Sequence, residues 1–208
     1  MAMIPSLRDE LTGASRPGLP PFVLLLPRGW ASVPPTREAF SDLAARTSAV
    51  LRSAHRPDLD AQFRSILDRA AEEFLRREPV RLIYPADVPA DELFPLSITA
   101  IRLTAPGGGP LDPHVVALRR DRGARTLGDD GVLLRWEEEH THRVPGGEVS
   151  VRSFDYLVAV PGTQRCEALL FSAVVPSAAA GERLDDETVR AAGVLADAIM
   201  STFRWSGA

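Results

Sequence analysis

Three apolar-rich segments, at 131–142, 149–160 and 167–175, follow one another with very little chain between them. The connections are VPGGE at 144–148 and PGTQR at 161–165. A parallel neighbour needs a crossover of about a dozen residues or more, so joints this short force consecutive strands to run antiparallel. The first joint predicts a hairpin with a loop longer than two residues, and the second a tight reversal. This half of the chain leaves almost no room for the βα alternation of a doubly wound fold. Everything upstream must pack against, or extend, a meander.

Upstream, FVLLL at 22–26 lies between Pro21 and Pro27 and predicts a short strand entering the core. RGWASVPP at 28–35 reads as a turn or ordered loop, with Trp30 capping one end of the core. The period changes over 36–77. Phe40, Leu43, Thr47, Val50 and Leu51 recur at helical spacing, and after HRPD so do Leu59, Phe63, Ile66, Leu67, Ala70 and Phe74. Pro57 suits a helix start and Pro79 a stop, which predicts a helical hairpin covering one side of the sheet. VRLIY at 80–84 and PLSITAIRLTA at 95–105 are extended candidates. PGGGP at 106–110 is a break rather than a phosphate loop, because it lacks both GK[ST] and the dinucleotide-binding glycine spacing.

Asp112 followed by Pro113 predicts an N-cap and the first position of a helix over 113–122, with Leu111 stapled onto Val116. A final helix, capped by Asp185 and stapled by Leu184 onto Val189, should bury Val189, Ala192, Leu195, Ala196, Ile199 and Phe203. Trp205 anchors its end. The sum is an α+β fold: a largely antiparallel sheet of five or six strands flanked by helices. Residues 1–20 read as an arm and 21–208 as one domain.

Length and composition set what the core requires. The 208 residues are 45% hydrophobic, enough for an ordinary core without disulfide or metal. Cys166 is the only cysteine, which excludes an intramolecular disulfide. At the start of CEALLFSAVV it reads as a small core residue. The formal charge of -4 argues against a phosphate-neutralising surface, so no nucleic-acid partner is expected. The basic charge is carried by arginine amid much Ala, Pro and Gly, a compositional mark of a high-GC bacterial genome. MAMIPSLRDELTG lacks the unbroken apolar stretch of a signal peptide, and FVLLL falls far short of the roughly 20 residues that cross a bilayer. The expectation is a cytoplasmic protein with no membrane-spanning segment.

LLLPRGW near the start, the middle hairpin, and FDYLVAVPG…CEALLFSAVVP leading into a helix ending FRW resemble the PsbP-like group of α/β/α sandwiches, which includes small actinobacterial proteins. The resemblance spans roughly 20–205 by architecture and implies an antiparallel sheet between helices. It departs from the smallest members in the size of the 36–77 hairpin. Members of the wider group include a photosystem accessory subunit, a nuclear-transport factor that binds a small GTPase, and chaperones for secreted effectors. The resemblance therefore implies binding or assembly rather than a shared reaction, and it brings no catalytic residue set.

RWEEEHTHR at 135–143 is the most chemical-looking segment. Strand alternation puts Glu138, His140 and His142 on one face and Arg135, Glu137 and Glu139 on the other. Imidazole and carboxylate can ligate zinc, but no second ligand cluster completes a set, so no metal and no cofactor are expected. Glu137 and Glu139, with Asp155 approaching from another strand, would be the raw material of paired-acid hydrolysis, without an identifiable cleft. Ser172 near Cys166 makes no triad with His114, His140 or His142. No catalytic residue is assigned.

The candidate interface or ligand contacts are Arg135, Trp136, His140, His142, Arg204 and Trp205. Arginine can grip a carboxylate with two donors, and tryptophan can anchor an interface. The structural alternative pairs Arg135 with an acid across the sheet, turns Trp136 toward the helices, and makes Trp30 and Trp205 core anchors. Arg190 and Asp197 are exposed neighbours on the last helix. The expectation is a non-enzymatic accessory or protein-binding domain whose partner is an unidentified protein or another copy of itself. A small-ligand-binding protein using a sheet–helix cleft comes second, and an enzyme third.

Overall fold

The computed structural model describes residues 18–53, 57–77, 79–89, 96–128, 131–144, 147–179, 182–183 and 185–206. The chain opens with β1 (Phe22–Val23) and β2 (Trp30–Val33), then the helices α1 (Arg37–Ser53) and α2 (Pro57–Arg76). Strands β3 (Pro79–Pro85) and β4 (Ser97–Thr104) precede α3 (Asp112–Arg122) and the short β5 (Arg125–Leu127). Next come β6 (Leu133–Val144), β7 (Gly147–Ala159), β8 (Glu167–Ala179) and β9 (Glu182–Arg183), then α4 (Asp186–Ser201) and β10 (Arg204–Trp205).

The meander β6–β7–β8 is antiparallel throughout, as the short joints require. It lies inside an eight-stranded sheet ordered β2–β3–β4–β8–β7–β6–β5, with β9 pairing the far end of β8. A separate two-stranded piece pairs β1 with β10. The sheet is therefore wider than the expected five or six strands. The additions are β2, β5 and β9, two to four residues each, too short to show a strand period of their own.

Each face of the sheet is covered differently. On one face α4 packs Ala192, Ala196, Ile199 and Met200 against Ile98, Phe154, Tyr156, Leu169 and Phe171. Full burial of each large side chain contributes about 1.5–3 kcal/mol, so this layer is the main source of stability. Phe22 meets Phe203 tilted at 5.5 Å and Trp205 meets it edge-on at 5.1 Å between ring centroids, with Phe22 and Trp205 themselves 6.1 Å apart, tying β1 and β10 to the same core. The opposite face carries α1 and α2 over β3, where Phe40 meets Phe74 at 5.6 Å and both belong to a cluster with Leu82 and Tyr84. At the other end of that face, α3 and the turn before it place Leu111 and Leu118 on Leu134, Trp136 and Leu157. Apolar residues on alternate positions of central strands thus read as cores on both sides.

Several local expectations are corrected. RGWASVPP forms strand β2 as well as a turn, because Trp30–Val33 finds a partner in β3. Gly29 starts it with φ of 82°, and a Cβ there would lie 2.4 Å from the Asp87 carbonyl oxygen. FVLLL contributes only two strand residues. The β6–β7 pairing runs to Val144 opposite Gly147, leaving two residues between the strands rather than a longer loop. The α3 staple does not form: Leu111 is buried, whereas Val116 is 61% exposed. Asp112 is the first helical residue rather than the cap, and its carboxylate accepts from Arg165 at 2.8 Å. In α4, Val189 and Leu195 are only half-buried. The side chains of Thr47, Val50, Leu51, Leu59, Phe63, Ile66 and Ala70, the Leu184 staple and residues 1–17 lie outside the described residues.

Candidate functional site: strand β6 and its open edge

Strand β6 carries the charged run on both of its faces, as alternation predicts. Paired residues of an antiparallel ladder point to the same side, so the register distributes the neighbours without ambiguity. Trp136 stands opposite Asp155, Glu137 opposite Phe154, and Glu138 opposite Ser153. Asp155 therefore shares a face with Trp136 and Glu138. It stands on the opposite side of the sheet from Glu137 and Glu139, and the three acids cannot converge.

On the α4 face, Arg135 is 7% exposed and held by two acids. Its guanidinium reaches Glu137 at 2.6 Å and donates from Nε to Asp197 of α4 at 3.0 Å. The Tyr156 hydroxyl donates to the same Asp197 oxygen at 2.6 Å. Burial works against the Arg135 charge, but the hydrogen bonds to Glu137 and Asp197 outweigh it and hold the guanidinium pKa above its ordinary value. Burial and the Asp197 carboxylate together push the Tyr156 phenol far up. Next to this cluster, Arg152 of β7 meets Glu139 at 3.2 Å and Glu137 at 3.8 Å. Arg135, Glu137, Arg152, Asp186, Arg190 and Asp197 line a cleft of about 290 Å³ between α4 and the sheet.

On the other face, Asp155 is 6% exposed and accepts hydroxyl hydrogens from Ser153 at 2.8 Å and Ser172 at 2.6 Å. Burial raises its pKa. The two serines and the charges of His140 and Arg122 pull in the opposite direction without cancelling it. Glu138 is paired with Arg122 of α3 and lies 3.2 Å from His140 Nε2. Ser172 is thus engaged with a carboxylate, not with an imidazole that would take its proton. Among the described residues, no group of three or more His, Cys, Asp or Glu side chains is placed to hold a metal ion.

The six residues singled out in sequence do not converge. Trp136 is 6% exposed beneath α3, and Arg135 is occupied on the opposite face. His140 and His142 are exposed, with ring centroids 6.5 Å apart. Arg204 is exposed at the distant β1–β10 piece, where its guanidinium donates to the carbonyls of Ser201 and Phe203. Trp205 is half-buried against the Phe203 ring. Cys166 is half-buried at the turn before β8, and His114 is exposed on α3. Asp197 is half-buried and bound by two donors, not a free surface acid.

What the sequence reading missed is the edge. Strand β5 pairs only with Leu133–Arg135, so residues 136–144 of β6, nine positions, have β7 on one side and no strand on the other among the described residues. Nine extended residues make an edge about 30 Å long. Glu137, Glu139, His140, Thr141, His142 and Arg143 along it are all exposed. The missing signal was length: β6 has 12 residues and β5 has 3. Among the described residues, no helix is long and apolar enough to cross a membrane. No protein-family model matches the chain, and neither does any curated protein.

Proposed function

We propose that this chain is a non-enzymatic accessory or protein-binding domain that docks its partner along the open edge of β6. The carrying observation is the run 136–144, which pairs β7 on one side and has no strand on the other among the described residues, leaving a row of backbone donors and acceptors flanked by exposed charged side chains. An added strand satisfies such groups directly, and alternate side chains supply selectivity. The polar clusters support binding over turnover, because Asp155, Ser153, Ser172, Tyr156 and Asp197 are engaged in structural pairs with one another. Kinship with PsbP-like sandwiches fits the layered α+β build and the same binding role. A cytoplasmic setting and a partner that is not nucleic acid fit the acidic balance and the absence of any long apolar helix among the described residues.

The test is affinity capture from native extract followed by hydrogen exchange on the complex. A partner that protects amides within 136–144 is the expected result. Protection confined to other surfaces refutes the edge assignment. A concentration-independent monomer that captures nothing refutes protein binding altogether.

Small-ligand binding is the second reading, and the cleft between α4 and the sheet favours it. Three arginines and three acids line that cleft, which suits a molecule carrying charges of both signs. Thermal-shift titration with free amino acids and dicarboxylates checks it; no stabilisation by any of them counts against it.

A further inference from the structure

Read outward from its centre, the β6 edge is complementary to itself. From residue 137 to 143 it runs Glu, Glu, Glu, His, Thr, His, Arg, acids leading and bases trailing. We infer that two copies of this chain pair antiparallel through 136–144, about a two-fold axis passing beside His140, to form one continuous sheet. The inference rests on the protein-binding reading above and names its partner as a second copy.

The register follows from charge and symmetry. A two-fold axis normal to the sheet keeps the α4 faces of both copies on one side, and it brings strands together only in registers where residues of like face oppose. With His140 opposite its own counterpart, Glu137 faces Arg143 of the second copy, Glu138 faces His142, and Glu139 faces Thr141, each twice over. Sliding by one step toward the acidic end sets Glu139 against Glu139. Sliding the other way sets Glu139 rather than Glu137 against Arg143, but it puts His140 against His142 and Glu138 against Val144, keeping two attractive pairs where the His140-centred register has four. A parallel, in-register pairing would stack like charge on like charge along the whole strand. The side chains that discourage open-ended edge association therefore favour one closed arrangement, the His140-centred one.

The edge is also physically fit for it. The β6–β7 register is unbroken from Leu134 to Val144, and no Pro or Gly interrupts 133–144. Glu137, Glu139, His140, His142 and Arg143 are exposed and can re-pair across the interface without opening the core, while Glu138 is half-buried beside Arg122. Within one copy Glu137 meets Arg135 at 2.6 Å and Glu139 meets Arg152 at 3.2 Å, whereas Arg143 meets Glu148 at 3.1 Å with 91% of its side chain exposed and has the most freedom to turn toward a second copy. Nine paired positions give about nine backbone hydrogen bonds and a small interface, so the dimer is weak and concentration-dependent.

Sedimentation over a concentration series at low salt tests this with three chains. The unmodified chain is expected to dimerise reversibly. Glu137→Arg and Arg143→Glu should each weaken dimerisation about tenfold, because two attractive cross-strand pairs become repulsive. Mixing the two variants should restore association to about the original level, since the introduced arginines then face the introduced glutamates. Circular dichroism and urea midpoints confirm that each variant folds. Deuterium uptake within 136–144 of the unmodified chain, which should slow as concentration rises, is independent of any substitution. A monomer at all concentrations, variants that associate normally, a mixture no tighter than its components, or concentration-independent uptake overturns the inference. If self-association fails while a captured foreign protein protects 136–144, only self-pairing falls. If neither occurs, the protein-binding reading falls with it.

Discussion

Replacing Gly193 by alanine should destabilise the fold, although glycine is the weaker helix former. In an exposed helix the change gains about 0.8–1.0 kcal/mol. Here the helix face is pressed onto the sheet. An added Cβ would lie 2.7 Å from Cε1, 3.0 Å from Cζ and 3.3 Å from Cδ1 of Phe154. Relaxed carbon contacts are about 3.5–4.0 Å, so ring and helix must separate by several tenths of an ångström to about one ångström. Phe154 has little freedom to yield: it is 3% exposed, and the Arg135 guanidinium sits over its ring at 5.6 Å. Moving the ring disturbs the arginine that holds Glu137 and Asp197. Overpacking of this kind costs about 1–3 kcal/mol, to which the loosened Arg135 contacts add. The expected net loss is about 1–2 kcal/mol, or roughly 2–8 °C in Tm for a chain of this size. Urea denaturation measures it, with Phe154→Leu as the background control. In that background the ring is gone, and Gly193→Ala should turn neutral or stabilising. A higher urea midpoint for Gly193→Ala alone would refute the reasoning.

Tyr156→Phe removes the hydroxyl that donates to Asp197 and should cost about 1.5–3 kcal/mol, with strong non-additivity against Asp197→Ala in a double-mutant cycle by urea denaturation. Asp155 has a folded-state pKa raised by burial, so its stabilising effect is complete below the ordinary value of 3.8 and is lost as pH rises through the raised value. Unfolding free energy measured across that window should show this decline in the unmodified chain and lack it in Asp155→Asn. Asp185 is the opposite case, because its hydrogen bonds from Thr188 lower its pKa. The stability it contributes is present above the ordinary carboxylate value and is lost as pH falls through the depressed one; a pH series comparing Asp185→Ala with the unmodified chain should converge in strong acid.

Much of the fold follows from local pattern. The short joints at 144–148 and 161–165 permit only antiparallel neighbours, and β6, β7 and β8 pair accordingly. The 36–77 stripes became α1 and α2, and Asp185 caps α4 through the Thr188 amide. These are near-neighbour effects: side-chain alternation, helical period and cap chemistry act over a few residues, so a few residues disclose them. Alternation also assigned the faces of β6 before any coordinates. It did not assign the face of Asp155, because that depends on the β6–β7 register, and a register shift of one would invert it.

Tertiary structure alone decided the rest. Strand β4 pairs β3 on one side but β8, not β5, on the other, so the meander lies within the sheet instead of at its end. Strands of two to four residues exist only because a partner supplies their hydrogen bonds, which is why RGWASVPP read as a loop. Val116 lost its expected staple because the packing of α3 turned Leu111 inward and left Val116 outside. By sequence Trp136 suited a structural role more than an interface, and α3 settled it by covering the ring. The open edge has the same origin. No residue within 136–144 announces that its outer side has no strand among the described residues; that follows from β5 being three residues long and pairing only with Leu133–Arg135.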